Sequence, residues 1–225
     1  VGPSNPDFNI KTSQMRVKTN YRWEIANLAD LSHITWIHPN TVGGSLQYTT
    51  AQPKHELIPR GLKTEFWVRN CEPAGAARHL FPPEAKFDIC FQITHTIPCT
   101  WILRYRMFAA GTKTEGESDG QLLLDTWSSQ AVTPRDADSV DYYYAWGASK
   151  ETDFPGASDM LVQATDVAFR EDAAMLEAQH KRAREKPDFK PVDIALDAGP
   201  GKILWVLDKM LKEEAAAQRP EKVAA

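Results

Sequence analysis

The chain predicts an α+β fold: one antiparallel sheet with helices packed on it. Between His55 and Tyr144, strand-patterned runs follow one another, separated by short turn clusters. The last third changes to helical periodicity. At 225 residues and 42% hydrophobic, the chain can bury one substantial core, with room for at most two small domains.

The first predicted element is a strand over Met15–Ala26, where Val17, Tyr21, Trp23 and Ile25 fall at period two. A short helix from Asn27 through His33 should end near His38-Pro39, since proline disfavours helix in the residue before it. Gly43-Gly44 then turns the chain. Strands are expected at Leu62–Val68, Phe87–Ile93, Cys99–Phe108, Gln121–Val132 and Val140–Trp146. The turns between them are Glu72–Gly75, Phe81–Pro83, Gly111–Gly120 and Thr133–Asp136. Consecutive strands joined this closely pair antiparallel. Ser158 is placed to cap a helix over Asp159–Lys186 that Pro187 closes. A second amphipathic helix starts at Pro200-Gly201 and should bury Ile203, Leu204, Leu207, Met210 and Leu211. The Ala/Glu/Lys-rich end beyond Glu213 is expected to fray.

Composition narrows the function. A formal charge of −4 and a pI near 5.9, with no basic run, argue against a nucleic-acid partner. No apolar stretch approaches the roughly 20 residues of a membrane span, and no signal-peptide pattern opens the chain. Cys71, Cys90 and Cys99 form no C-x-x-C motif and leave an odd thiol in any disulfide scheme, which points to a reducing cytoplasm. Seven Trp, six Tyr and nine Phe suit a pocket for a flat apolar ligand, or simply a well-packed core. Val1–Asp7 reads as the middle of a loop, so the sequence is expected to continue a longer polypeptide.

The densest cluster of metal-capable groups is Asn27, Asp30, His33 and His38. On an ideal helix His33 and His38 would lie about 140° apart, so they can share a metal only if the helix breaks between them. Thr35, Trp36, Ile37 and Pro39 make a break plausible. Asp172 is the third candidate ligand. Its helical neighbours Ala168, Phe169, Met175 and Leu176 are all apolar, and a carboxylate there must be paired, protonated or metal-bound. Arg170 and Glu171 should point elsewhere. The partner is then either a buried arginine such as Arg104 or Arg106, or a metal. Two His and one carboxylate with open positions is how proteins hold non-haem Fe(II). His55, His79 and His95 have no comparable company, and His180 is expected to face solvent.

The run Asn20-Tyr21, Asn27-Leu28-Ala29-Asp30-Leu31-Ser32-His33 and His38 resembles the iron-binding segment of Rieske non-haem iron aromatic oxygenases. It is most similar to the vanillate O-demethylase and dicamba monooxygenase branch. Ala168–Asp172 followed by Leu176–Gln179 resembles that branch's acidic-ligand helix, and Thr133-Pro134 and Tyr142–Trp146 fit its order. The resemblance covers Asn20 to Glu214. It implies a helix-grip fold (START/Bet v 1-like) and a facial triad of His33, His38 and Asp172. It also implies that Asp30 hydrogen-bonds a ligand histidine and bridges towards a Rieske centre in a neighbouring subunit, with Asn27 near the iron. A homotrimer, an aromatic substrate, O₂ as co-substrate and NAD(P)H electrons arriving through a reductase or ferredoxin come with it.

None of the three cysteines has a His at plus two or plus three, so the family's [2Fe–2S] ligands are missing from this sequence. Residues 1–19 are therefore expected to be a loop and leading strand connecting to a Rieske domain, 20–214 the mononuclear iron domain, and 215–225 a frayed tail. Gln130 and Asp141 fall where relatives often present His, with Gln130 a candidate for touching substrate. The function implied is an aromatic-ring oxygenase or O-demethylase portion whose electrons come from a cluster elsewhere. The competing expectation is a non-catalytic helix-grip binding module that keeps a relic metal site.

Overall fold

The computed structural model describes residues 4–43, 45–112, 120–152, 154–188 and 190–218. Seven strands form a single antiparallel sheet: β1 (Phe8–Val17), β2 (Lys54–Ile58), β3 (Gly61–Cys71), β4 (Phe87–Thr96), β5 (Thr100–Ala109), β6 (Leu122–Pro134) and β7 (Val140–Ser149). Their order is β1-β7-β6-β5-β4-β3-β2, so six consecutive strands meander and β1 closes onto β7. Alternation decides which face packs inward. In β4 and β5, Phe91, Ile93, Trp101 and Leu103 turn to the core, while Arg104 and Arg106 turn away from it.

A long helix, α4 (Ala157–Glu185), packs on β1 and β7, and α5 (Ala198–Ala217) packs on α1 (Tyr21–Ala29) and β3. This is the helix-grip α+β arrangement. Among the described residues no helix is long and apolar enough to cross a membrane. The cysteines are free, with Cys71 and Cys90 buried.

Several local expectations need correction. The first strand is Phe8–Val17, and Tyr21–Ala29 is a helix. The Asn20 side chain accepts from Arg22 N and caps it, and Ile25, Leu28 and Ala29 bury a helical face. Ser158 does not cap α4: Gly156 stands there at φ 85°, and the Ser158 hydroxyl accepts from Ala148 N instead. In α5, Val206 is buried and Leu211 is exposed. Glu72–Gly75 leads into a 3-10 turn, Gly75–Leu80. The expected break at Gly44, the turn over residues 113–119 and the tail beyond Gln218 lie outside the described residues, and 215–217 are helical.

Candidate metal centre

The site begins with the break in helical geometry that follows α1. Asp30 leaves helical geometry at φ −86°, ψ 108°, and its carboxylate accepts from both the backbone N (2.8 Å) and hydroxyl (2.7 Å) of Ser32. This side-chain turn restarts the chain as α2 (His33–Ile37). His38 ends α2 at φ −116°, ψ 42°, and Pro39 prevents continuation. The departure from helix at His38 brings the two imidazoles together, with ring centroids 5.2 Å apart.

Asp172 completes the group from α4. Its Oδ1 lies 3.4 Å from His33 Nε2 and 3.1 Å from His38 Nε2, and one ligand atom from each residue falls within 4.8 Å of the others. Neither contact has hydrogen-bond geometry, so the buried Oδ1 is left without a hydrogen-bond partner. Donors held about 2.1 Å from one ion on perpendicular octahedral axes stand about 3 Å apart, close to these separations. Burial pushes the Asp172 carboxyl up, but the His33 and His38 rings outweigh it and hold it at about 2. The alternative of a buried arginine fails, since Arg104 pairs with Asp125 through two bonds of 2.9 and 2.7 Å. Arg106 lies 3.9 Å from Cys90 Sγ and over the Phe108 ring.

The outer ring nitrogens are also engaged. His33 Nδ1 sits 2.5 Å from the Asp30 carbonyl oxygen, which orients Nε2 inward. The Asp30 carboxylate, expected to bond a ligand histidine, is 3.9 Å from that nitrogen and belongs to Ser32. His38 Nδ1 lies 2.8 Å from Glu171 Oε2, which also accepts from the Thr41 hydroxyl at 2.9 Å. Glu171 was expected to point away; instead it holds the far edge of the same ring that Asp172 faces. Burial lowers the His38 pKa, and its contacts with Asp172 and Glu171 raise it above the usual value.

The family of vanillate O-demethylase oxygenase C-terminal domains matches residues 17–213. This chain belongs to it. The iron-sulfur subunit of the toluene-4-sulfonate monooxygenase system of Comamonas testosteroni is 28% identical over 222 residues, covering 96% of this chain and 63% of that protein. The vanillate O-demethylase oxygenase subunit of Pseudomonas sp. strain HR199 is 22% identical over 231 residues, covering 95% and 61%. Dicamba monooxygenase bound to 3,6-dichlorosalicylic acid superposes with a TM-score of 0.80 at 18% identity, covering 94% of this chain and 62% of that one. This chain thus spans about three fifths of the length of these relatives.

Beside the triad in this family member lies a cavity of about 170 Å³, walled by one face of β4–β7 and by α4. Asn27 and Gln130 both line it. The Asn27 Nδ2 is buried without a partner. Gln130 is occupied by its neighbours: it accepts from the Tyr142 hydroxyl at 2.5 Å and donates to the Ser128 hydroxyl at 3.0 Å. Asp141 lies away from the cavity and pairs with Arg16 and Arg135, which hold its carboxyl below the usual range. His95 is buried against Trp101, and burial lowers its pKa to about 4. His180 is not solvated as expected, since it packs 2.9 Å from Asp138.

Sequence reasoning missed Glu171 and Glu24. The latter is buried on α1, and desolvation, helped by the charge of Asp172, raises its pKa to about 8. An acid at position 24 flanked by Trp23 and Ile25 was the available signal.

Proposed function

We propose that this chain is the mononuclear iron portion of an aromatic-ring oxygenase or O-demethylase, with His33, His38 and Asp172 as the iron ligands. The observation that carries the reading is Asp172 Oδ1, buried and without a hydrogen-bond partner although two ring nitrogens stand at 3.1 and 3.4 Å. A buried carboxylate oxygen in that position is satisfied by a divalent ion shared with the two imidazoles. The donor set fits Fe(II): two imidazoles and one carboxylate leave positions open. Bound Fe(II) would supply the activation of O₂ and the redox chemistry.

The protein's own groups would prepare the ligands. Glu171 and the Asp30 carbonyl each hold an Nδ1, which fixes the tautomer that presents Nε2. The apolar cavity would seat an aromatic ring next to the open positions and exclude water. The Asp30 carboxylate has 24% side-chain exposure against 6% for Asp172, so it can face both the site and a neighbour. We assign to it the electron path from a Rieske [2Fe–2S] centre. That centre would come from a segment or partner outside this sequence, since a similar protein is named an iron-sulfur subunit and this chain spans 63% of it. Electrons would come from NAD(P)H through a reductase or ferredoxin, and the bridging role of Asp30 requires a second subunit, as in a homotrimer.

Anaerobic titration with Fe(II), followed by metal analysis and the spectrum of the nitric oxide adduct, tests the centre. The expected result is one tightly held iron per chain with an open-site adduct that Asp172→Ala removes. Iron retention unchanged in Asp172→Ala would overturn the assignment.

A further inference from the structure

We propose that the cavity selects an uncharged single-ring aromatic molecule and excludes the aromatic anions for which several similar proteins are named. The inference rests on the iron-centre reading for what happens to the ligand, but its support is the chemistry of the wall. Toluene-4-sulfonate and vanillate both carry a negative charge at neutral pH. A buried anion needs a cation or a convergent set of hydrogen-bond donors.

Among the described residues, no Lys or Arg side chain lines the cavity. The reason lies in strand alternation. Arg104 and Arg106 alternate with Leu103, Tyr105 and Met107 and so project from the opposite face of β5, where Arg104 is bound to Asp125. Arg78 shares the 3-10 turn Gly75–Leu80 with Ala77 and Leu80, which line the cavity, but its exposed side chain is not part of the wall. The charged side chains that do line the space are the acids Asp30 and Asp172, beside the two imidazoles.

A metal ion would not reverse this balance. The two charges of a divalent ion held by neutral imidazoles are matched by Asp172 and by Glu171 behind His38, and Asp30 adds a further negative charge. An anionic substituent would therefore meet no net positive field. Gln130 uses its carbonyl on Tyr142 and one amide N–H on Ser128, which leaves a single N–H, short of the convergent donors that a buried anion needs. The unpartnered polar atoms of the wall, besides Asp172 Oδ1, are Asn27 Nδ2 and the Thr165 hydroxyl. Both are enclosed, so they add no exposed donors for an anion to gather. Size sets the ring count, because an apolar cavity of about 150 Å³ holds one benzene and this one measures about 170 Å³.

The test compares matched pairs on the Fe(II)-loaded chain under anaerobic conditions: methyl 4-tolyl sulfone against toluene-4-sulfonate, and vanillyl alcohol against vanillate. Binding is read by calorimetry and by quenching of tryptophan fluorescence, since Trp101 and Trp146 line the cavity. The neutral member of each pair should bind at least tenfold more tightly, and Ala164→Trp, which fills the cavity, should abolish that binding while iron is retained. Equal or tighter binding of the anions overturns the proposal, as does the absence of saturable binding by either neutral probe. The two readings fail separately. A chain that holds iron but prefers anions refutes the charge selection alone, whereas one that prefers neutral rings without retaining iron refutes the metal centre alone.

Discussion

Glu171 Oε2 lies 2.8 Å from His38 Nδ1, so two consecutive acids on α4 grip opposite edges of one imidazole. Asp172 faces Nε2 inside the site, and Glu171 closes Nδ1 from the outside. The two Cα positions differ by about 100° around the helix, and the ring spans that difference. A charge-assisted bond to Nδ1 keeps the ring in its ligating tautomer and makes Nε2 more basic.

Glu171→Gln keeps the shape but loses the charge. The expected outcome is about a 10–100-fold loss of Fe(II) affinity with the far-ultraviolet circular dichroism unchanged. Competition with a metal chelator measures it, and unaltered affinity would mean that the charge of Glu171 does not tune the ring.

The loop that places His38 rests on Gly43. The Gly43 N donates to the His38 carbonyl at 3.0 Å, and a Cβ at this position would stand 2.1 Å from the Ile34 carbonyl oxygen. Both neighbours are backbone of the segment carrying His33 and His38, so relief must move that segment. Gly43→Ala should therefore lower iron retention several-fold, while Gly201→Ala, with open space at its Cβ, should leave it unchanged. Metal analysis after gel filtration separates the two.

These relationships show how far the sequence could be read. The five central strands were legible in the sequence, and the meeting of His33, His38 and Asp172 was expected from an acid on an apolar helical stripe and from the resemblance. The α1 segment misled because Tyr21, Trp23 and Ile25 satisfy period two while Ile25, Leu28 and Ala29 satisfy helical spacing. The Asn20 cap decides between them, and it is visible only as a single polar residue. Glu171 was hidden because helical angle was used as a test of reach, whereas a glutamate side chain is long enough to meet a ring that its neighbour also contacts. The absence of Lys and Arg from the described wall was latent in β5, where Arg104 and Arg106 fall two positions apart, but register was needed to say which face they occupy.

The Tyr142 hydroxyl gives a stability prediction next to the site. It is fully enclosed and donates to Gln130, whose amide in turn donates to Ser128. Tyr142→Phe strands the Gln130 carbonyl in an apolar cavity at a cost of about 1–3 kcal/mol. Denaturant unfolding should show that loss, with iron affinity preserved because the triad is untouched. A stability equal to wild type would mean that Gln130 turns and finds another donor.

Glu24 sets the pH dependence. Its carboxyl, 2% exposed, is raised from 4.5 to about 8 chiefly by desolvation and further by the charge of Asp172. The native chain therefore keeps a proton that the unfolded chain releases once the pH passes 4.5. Stability falls as the pH rises between about 4.5 and 8 and levels off above that, by an amount of a few kcal/mol. Glu24→Gln cannot release a proton, so the advantage of the variant over wild type should be smallest near pH 5 and largest near pH 8.5. Subtracting the two denaturation curves at each pH removes the titrations common to both proteins. A difference independent of pH would show that Glu24 is solvated or paired in solution. Adding Fe(II) should reduce the slope only modestly, because a bound cation offsets Asp172 but leaves the dominant cause, desolvation by burial, in place.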